Sequence, residues 1–162
     1  MFNPSSPLAA LMNAPVRPGR VEWIGLRPAR RVAMQMVEVA SLDPEAGIVG
    51  DRYAGRSGER HATLIQLENL AAIAAHLGLD AVRPERLRRN IVVSGLNLLA
   101  LKDRRFQLGE AVLETTGECH PCSRMEEIFG SGGYNAVRGH GGITARVLEG
   151  GTVRIGDVIR PV

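Results

Sequence analysis

The chain has 162 residues, 44% of them hydrophobic and 23% charged, a size and balance that suit one globular domain and exclude a disordered tail protein or a collagen-like fibre. Its net charge of +3 is the small difference between 20 basic and 17 acidic side chains, too small an excess to indicate a nucleic-acid partner. No apolar run approaches the roughly 20 residues that a bilayer-spanning helix needs, so no membrane association is expected.

Residues 1–19, with Pro4, Pro7, Pro15, Pro18 and Gly19, read as an extended Pro-rich arm whose apolar piece, Leu8 to Met12, is either a mobile tail or a docking segment. The body, 20–162, then reads as short β runs between turn residues. Val21 to Leu26 is the first. Arg31 to Ser41 is the second, ended by Asp43-Pro44 and the glycines Gly47 and Gly50. Ala62 to Leu67 leads into a helix over Glu68 to Leu77, where Leu70, Ala71, Ala74 and Leu77 keep helical spacing and Gly78 marks the stop. A Pro84-led turn of helix precedes strands at Ile91 to Ser94, Arg105 to Leu108 and Glu110 to Thr115. Residues 123–129 predict a short helix. Ile143 to Leu148 and Thr152 to Ile159 predict a final hairpin around Gly150-Gly151. Strands outnumber helices and do not alternate with them regularly, so the expected fold is mainly β with a few helices, a barrel of α+β type rather than a doubly wound parallel sheet.

The only two cysteines stand three positions apart in Cys119-His-Pro-Cys122. As a thioredoxin-like redox pair they should sit near the start of a βαβ pattern, but they lie late in a β-rich chain. As zinc ligands they lack a second pair, and His61, His76, His120 and His140 are scattered, His76 reading as solvated or satisfied locally. Both can instead pack as small hydrophobes. Finally, Cys122, between Pro121 and the possible helix N-cap Ser123, can be a reactive thiolate in the field of a helix start, with Cys119 a bystander. A pair this sparse, with no leader-like N-terminus, fits a reducing cytoplasm.

Five segments in order carry a family likeness: Gly47-Ile-Val-Gly-Asp-Arg-Tyr-Ala54, Arg89-Asn-Ile-Val-Val-Ser-Gly95, Leu108-Gly-Glu-Ala-Val-Leu113, Cys119-His-Pro-Cys122 and the run from Gly139 to Asp157. Together they resemble a MOSC domain, the module named for the C-terminal part of molybdenum-cofactor sulfurase, over roughly 20–160. The resemblance implies a β-barrel fold and handling of sulfur or of a molybdenum–pterin cofactor. It makes Cys122 the functional cysteine, ligating molybdenum in a protein that reduces N-hydroxylated compounds or, as the alternative, serving a non-catalytic module that carries sulfur as a Cys122 persulfide or delivers the cofactor to a partner enzyme. A soft thiolate suits both chemistries.

Arginine suits the cofactor's phosphate. The candidates are Arg52 and Arg60 with His61 in the Gly-rich loop, and Arg88 and Arg89 before Asn90, which either bonds the pterin or closes a turn. His140, among the glycines 139–142, is a further candidate to face the pocket, unless those glycines are a plain turn. The expected partners are the pterin cofactor or a small sulfur-bearing ligand, together with an electron-transfer or sulfur-donor protein; pyridoxal phosphate is not expected. The separate N-terminal β-barrel domain of the longer reductases is expected to be missing, with a homodimer as the source of the cleft's other wall.

Overall fold

A computed structural model describes residues 3–52 and 57–162. Tyr53 and Ala54 of the Gly-rich motif lie outside the described residues. The strands are β1 (Gly19–Leu26), β2 (Gln35–Val37), β3 (Val39–Asp43), β4 (Gly47–Ile48), β5 (Ala62–Gln66), β6 (Ile91–Ser94), β7 (Arg105–Leu108), β8 (Ala111–Glu118), β9 (Ile143–Glu149), β10 (Gly151–Arg154) and β11 (Val158–Pro161). The helices are α1 (Pro7–Met12), α2 (Leu67–Leu77), α3 (Pro84–Leu87), α4 (Arg124–Phe129) and α5 (Gly133–Val137), with a 3-10 turn at Leu98–Leu101.

Strands β11, β7, β8, β9, β5, β6 and β1 pair in that order, and β1 returns to β11, so the sheet closes into a seven-strand barrel with β2 appended to β1. Closure leaves no edge within the ring. The β5–β6 pair is parallel, because α2 and α3 carry the chain across between them. Burial on both faces follows from that crossover. Ala62, Leu64, Ile91 and Val93 point into the barrel core, whereas Ile65 and Val92 pack outward against Leu70, Ile73 and Ala74 of α2, Met125 of α4 and Val137 of α5. The i, i+3, i+4 spacing of the three α2 residues supplies this face. Gly78 ends the helix in the left-handed conformation, φ 68°. A second sheet, β10-β3-β4, contributes Ala40, Leu42, Ile48 and Val153 to the barrel core. Among the described residues no helix is long and apolar enough to cross a membrane.

Several local expectations are corrected. Gly150-Gly151 does not turn a hairpin: β9 pairs with β8 and β5 while β10 pairs with β3, so the glycines pass the chain from one sheet to the other. The run from Thr152 to Ile159 is broken after Arg154 by a turn, where Asp157 accepts the Arg154 N–H at 2.8 Å. Arg31 to Ser41 is likewise two strands, after a turn that puts Arg31 at φ 62°. Part of the arm is helical: Ser6 caps α1 by accepting the Ala9 N–H, and Ala9 is buried. Ser123 makes no capping hydrogen bond to α4 because its own backbone is already α-helical.

Candidate functional site

The cysteine segment begins where β8 ends. The Cys119 N–H donates to Gly142 O at 2.8 Å, extending the β8–β9 ladder and drawing Cys119 inward. Its sulfur is buried, with the Arg60 guanidinium 3.8 Å away. Cys122 is exposed, and its carbonyl accepts the Met125 N–H at 3.0 Å to start α4. Both thiols are free. The six-residue α4 is a short source of dipole.

Arg89 meets this segment from within the protein. Its buried guanidinium donates to Gly141 O at 2.7 Å, Leu87 O at 2.8 Å and Cys119 O at 3.4 Å. Burial lowers its pKa; the cysteine sulfurs of Cys119 and Cys122 work against this, and the charges of Arg60 and Arg27 add to it. An arginine nevertheless stays charged. Arg88, held at φ 57°, points the other way and donates to Val32 O at 2.6 Å and Ala29 O at 3.1 Å. Burial and then the charges of Arg27, Arg124 and Arg52 lower its pKa. Arg124, two positions after Cys122, keeps its Nε buried with no hydrogen-bond partner among the described residues. Such an orphaned donor is costly unless a ligand accepts from it.

Two residues that the sequence did not single out organise this cluster. The Asp51 carboxylate accepts from Arg27 Nε at 3.2 Å, Nη2 at 2.8 Å and the Arg27 backbone N–H at 2.6 Å. Asp51 also accepts from Asn90 Nδ2 at 3.0 Å. Asn90 is fully buried: its Oδ1 accepts from the Thr63 N–H and hydroxyl, and its Nδ2 also donates to Gly25 O. Every hydrogen-bonding site of the Asn90 side chain is thus engaged within the protein, and it braces the loop instead of presenting an edge to a ligand. Arg27 was legible only as an ordinary charged residue and Asp51 only as part of the Gly-rich motif, since their pairing joins the end of β1 to that loop.

Arg60 and Arg89 contact the cysteine segment through Cys119, and Arg88 lies within electrostatic range of Arg27, Arg52 and Arg124. His61 lies apart from the cysteine segment, whereas His140 lines a cavity together with Cys119, His120 and Pro121. His61 is buried against Gly47 and Gly58, its Nδ1 accepts the Val147 N–H at 3.1 Å, and burial lowers its pKa. His140 bonds Asn69 Oδ1 through Nδ1 at 3.2 Å and meets the His76 ring edge-on. His76 in turn reaches Ala136 O at 3.1 Å, across from α2 to α5 and not within its own helix.

No cluster of three or more His, Cys, Asp or Glu able to hold a metal exists among the described residues. Cys122 offers a single soft donor, which fits a metal that arrives with most of its ligands already attached to an organic carrier, and the arginines with the orphaned Arg124 Nε fit that carrier's anionic group.

Solved structures share this architecture. YuaD from Bacillus subtilis aligns at TM-score 0.78 and 23% identity over 88% of this chain and 94% of its own. YiiM from Escherichia coli aligns at 0.68 and 19%, over 88% and 69%. YiiM from Geobacillus stearothermophilus aligns at 0.72 and 14%, over 89% and 75%. At these identities the likeness is one of fold. No curated protein sequence matches the chain. The model of the MOSC domain matches residues 43–160, which takes in β4 through β11, the Gly-rich loop and the cysteine segment, and the chain belongs to the MOSC domain family.

Proposed function

We propose that this MOSC protein binds a molybdenum–pterin cofactor, with the Cys122 thiolate as the metal ligand the protein supplies and the surrounding arginines as the seat of the pterin phosphate. The observation that carries the reading is an exposed free thiol two positions from a buried, partnerless arginine Nε. Arg124 donates to the phosphate, Arg88 and Arg52 add charge, and Arg89 keeps the cysteine segment in place from beneath. The Asp51–Asn90 brace fixes the loop that carries Arg52. When bound, the cofactor supplies a redox centre, and reduction of N-hydroxylated compounds, fed by an electron-transfer protein, is the reaction class the family likeness suggests. The accessibility of Cys122 favours one alternative, a persulfide carrier that receives sulfur from a donor protein.

The test is to purify wild type, Cys122→Ser and Arg124→Ala from one cofactor-producing host and to quantify pterin and molybdenum separately. Arg124→Ala is expected to weaken pterin retention roughly ten- to a hundred-fold through a lost charge-assisted hydrogen bond. Cys122→Ser is expected to keep pterin better than metal. Wild type that binds neither, even after reconstitution, would discard the cofactor reading; persulfide on Cys122 in that same protein would establish the carrier.

A further inference from the structure

Cys119, His120 and Pro121 also line a cavity of about 620 Å³ that the arginines given to the cofactor phosphate do not enter. It runs between the N-terminal end of α2, the 3-10 turn and the glycines 139–142, and its volume is within the range of small-molecule sites. Its walls are organised by hydrogen bonding in a consistent sense. Gln66 spends its Oε1 on the Leu98 N–H at 2.9 Å. Asn97 spends its Oδ1 on the Leu99 N–H at 3.1 Å, and Asn69 spends its Oδ1 on His140 Nδ1 at 3.2 Å.

Each amide therefore has its acceptor engaged by the protein. The NH2 donors of all three side chains have no hydrogen-bond partner among the described residues. Arg138 also lines the cavity and makes no ion pair among the described residues. His140 contributes Nε2, with its ring orientation fixed by Asn69 on one side and His76 on the other. One acid, Glu118, lines the same space, and it stands 4.0 Å from His120. The glycines do not add to this argument: a Cβ on Gly141 would meet Cys119 O at 2.1 Å and one on Gly142 would meet Leu64 O at 1.8 Å, so close packing alone explains them.

We infer that this cavity is a second ligand site, selective for a small organic carboxylate. Its oxygens accept from Arg138 and the side-chain amides, and its body lies along Leu98, Leu99 and Pro121. A donor-rich wall with one unpaired cation discriminates by charge, because a neutral isostere leaves the guanidinium unmatched. The site shares Cys119 and Gly141 with the partners of Arg89, but none of Arg52, Arg60, Arg88, Arg89 and Arg124 lines it.

Benzoate is a suitable probe, followed by amide chemical shifts in the full chain. Saturable shifts are expected at Asn69, Asn97 and Gly139 to Gly142, with a dissociation constant on the order of 1 mM for a ligand of this size. Benzamide should bind at least about tenfold more weakly, as should benzoate to Arg138→Ala. Arg124→Ala should bind benzoate like wild type. The absence of saturable shifts, equal affinity for benzamide, or shifts centred on Arg88 and Arg124 and lost in Arg124→Ala would each overturn the proposal. Arg138 is exposed and unpaired, and the benzoate–benzamide comparison in wild type decides the question even if that variant fails to fold.

Discussion

Arg89 keeps a positive charge under the cysteine segment with three carbonyl oxygens and no carboxylate. A paired acid would cancel that charge; carbonyl oxygens accept from the guanidinium and leave its charge in place. The sequence could identify Arg89 as important through its motif but not that it faces inward, because that depends on Gly141 and Cys119 arriving from distant strands. His61 shows the same limit: it sits in the Gly-rich loop by sequence, yet its ring serves the β9 backbone. Burial, then the charge of Arg146, lowers its pKa from the ordinary 6.5, and Asp43 opposes this only as the third contribution. The unfolded chain therefore takes up a proton first as pH falls. The stability that neutral His61 provides is complete above about 6.5 and is lost as pH drops toward the folded-state pKa. Urea unfolding between pH 7 and 5 should show a decline that is smaller in His61→Asn, whose Oδ1 can accept the Val147 N–H without titrating. Equal slopes in the two proteins would remove His61 as the cause.

At the scale of elements, Asn90 ties the end of β1, the start of β5, the approach to β6 and the Gly-rich loop through Gly25, Thr63 and Asp51. These partners lie 65, 27 and 39 positions away, so the motif was visible in the sequence while its purpose was not. The Gly150-Gly151 pair is the converse case: its local chemistry is that of a hairpin, and the competing demand of β3 for a partner decides the outcome. α2 was legible because periodicity and the Gly78 stop are both local. Asn90→Ala would leave the Thr63 N–H, Gly25 O and one Asp51 lone pair without their partner in a water-poor site. A loss of about 2–4 kcal/mol is expected, lowering Tm by roughly 5–15 °C. Thermal and urea unfolding would check this, and a loss under about 1 kcal/mol would mean that water replaces the amide and the brace is weak.

For the whole molecule, barrel character was readable from many short strands with few regular helices, but closure was not, because it depends on the first strand of the ring meeting the last. That meeting is the thinnest join in the ring: β1 and β11 share two Cα pairs, Gly19 with Ile159 and Arg20 with Val158. The β8–β9 ladder, by contrast, runs from Val112 with Glu149 to Glu118 with Ile143. Just beyond the seam the Val21 N–H donates to Asp157 O and the Gly156 N–H to Val21 O, both at 2.8 Å. Local opening follows the number of interactions that must break together, and parting β1 from β11 breaks few while leaving β1 paired with β6. The cysteine segment hangs from β8 and β9, Arg60 and Arg89 stand just before β5 and β6, and Arg27 follows the end of β1 that stays paired with β6, so the site can keep its geometry while the seam opens. Native-state hydrogen exchange should therefore give Val21 and Gly156 protection at least about tenfold below that of Leu113 and Ala145 on β8 and β9. Urea well below the unfolding midpoint should leave this ordering in place, since seam opening exposes little surface and has a small denaturant dependence. Equal protection at all four amides, falling together with urea, would show that the barrel opens only as a unit and that the seam is not its weak point.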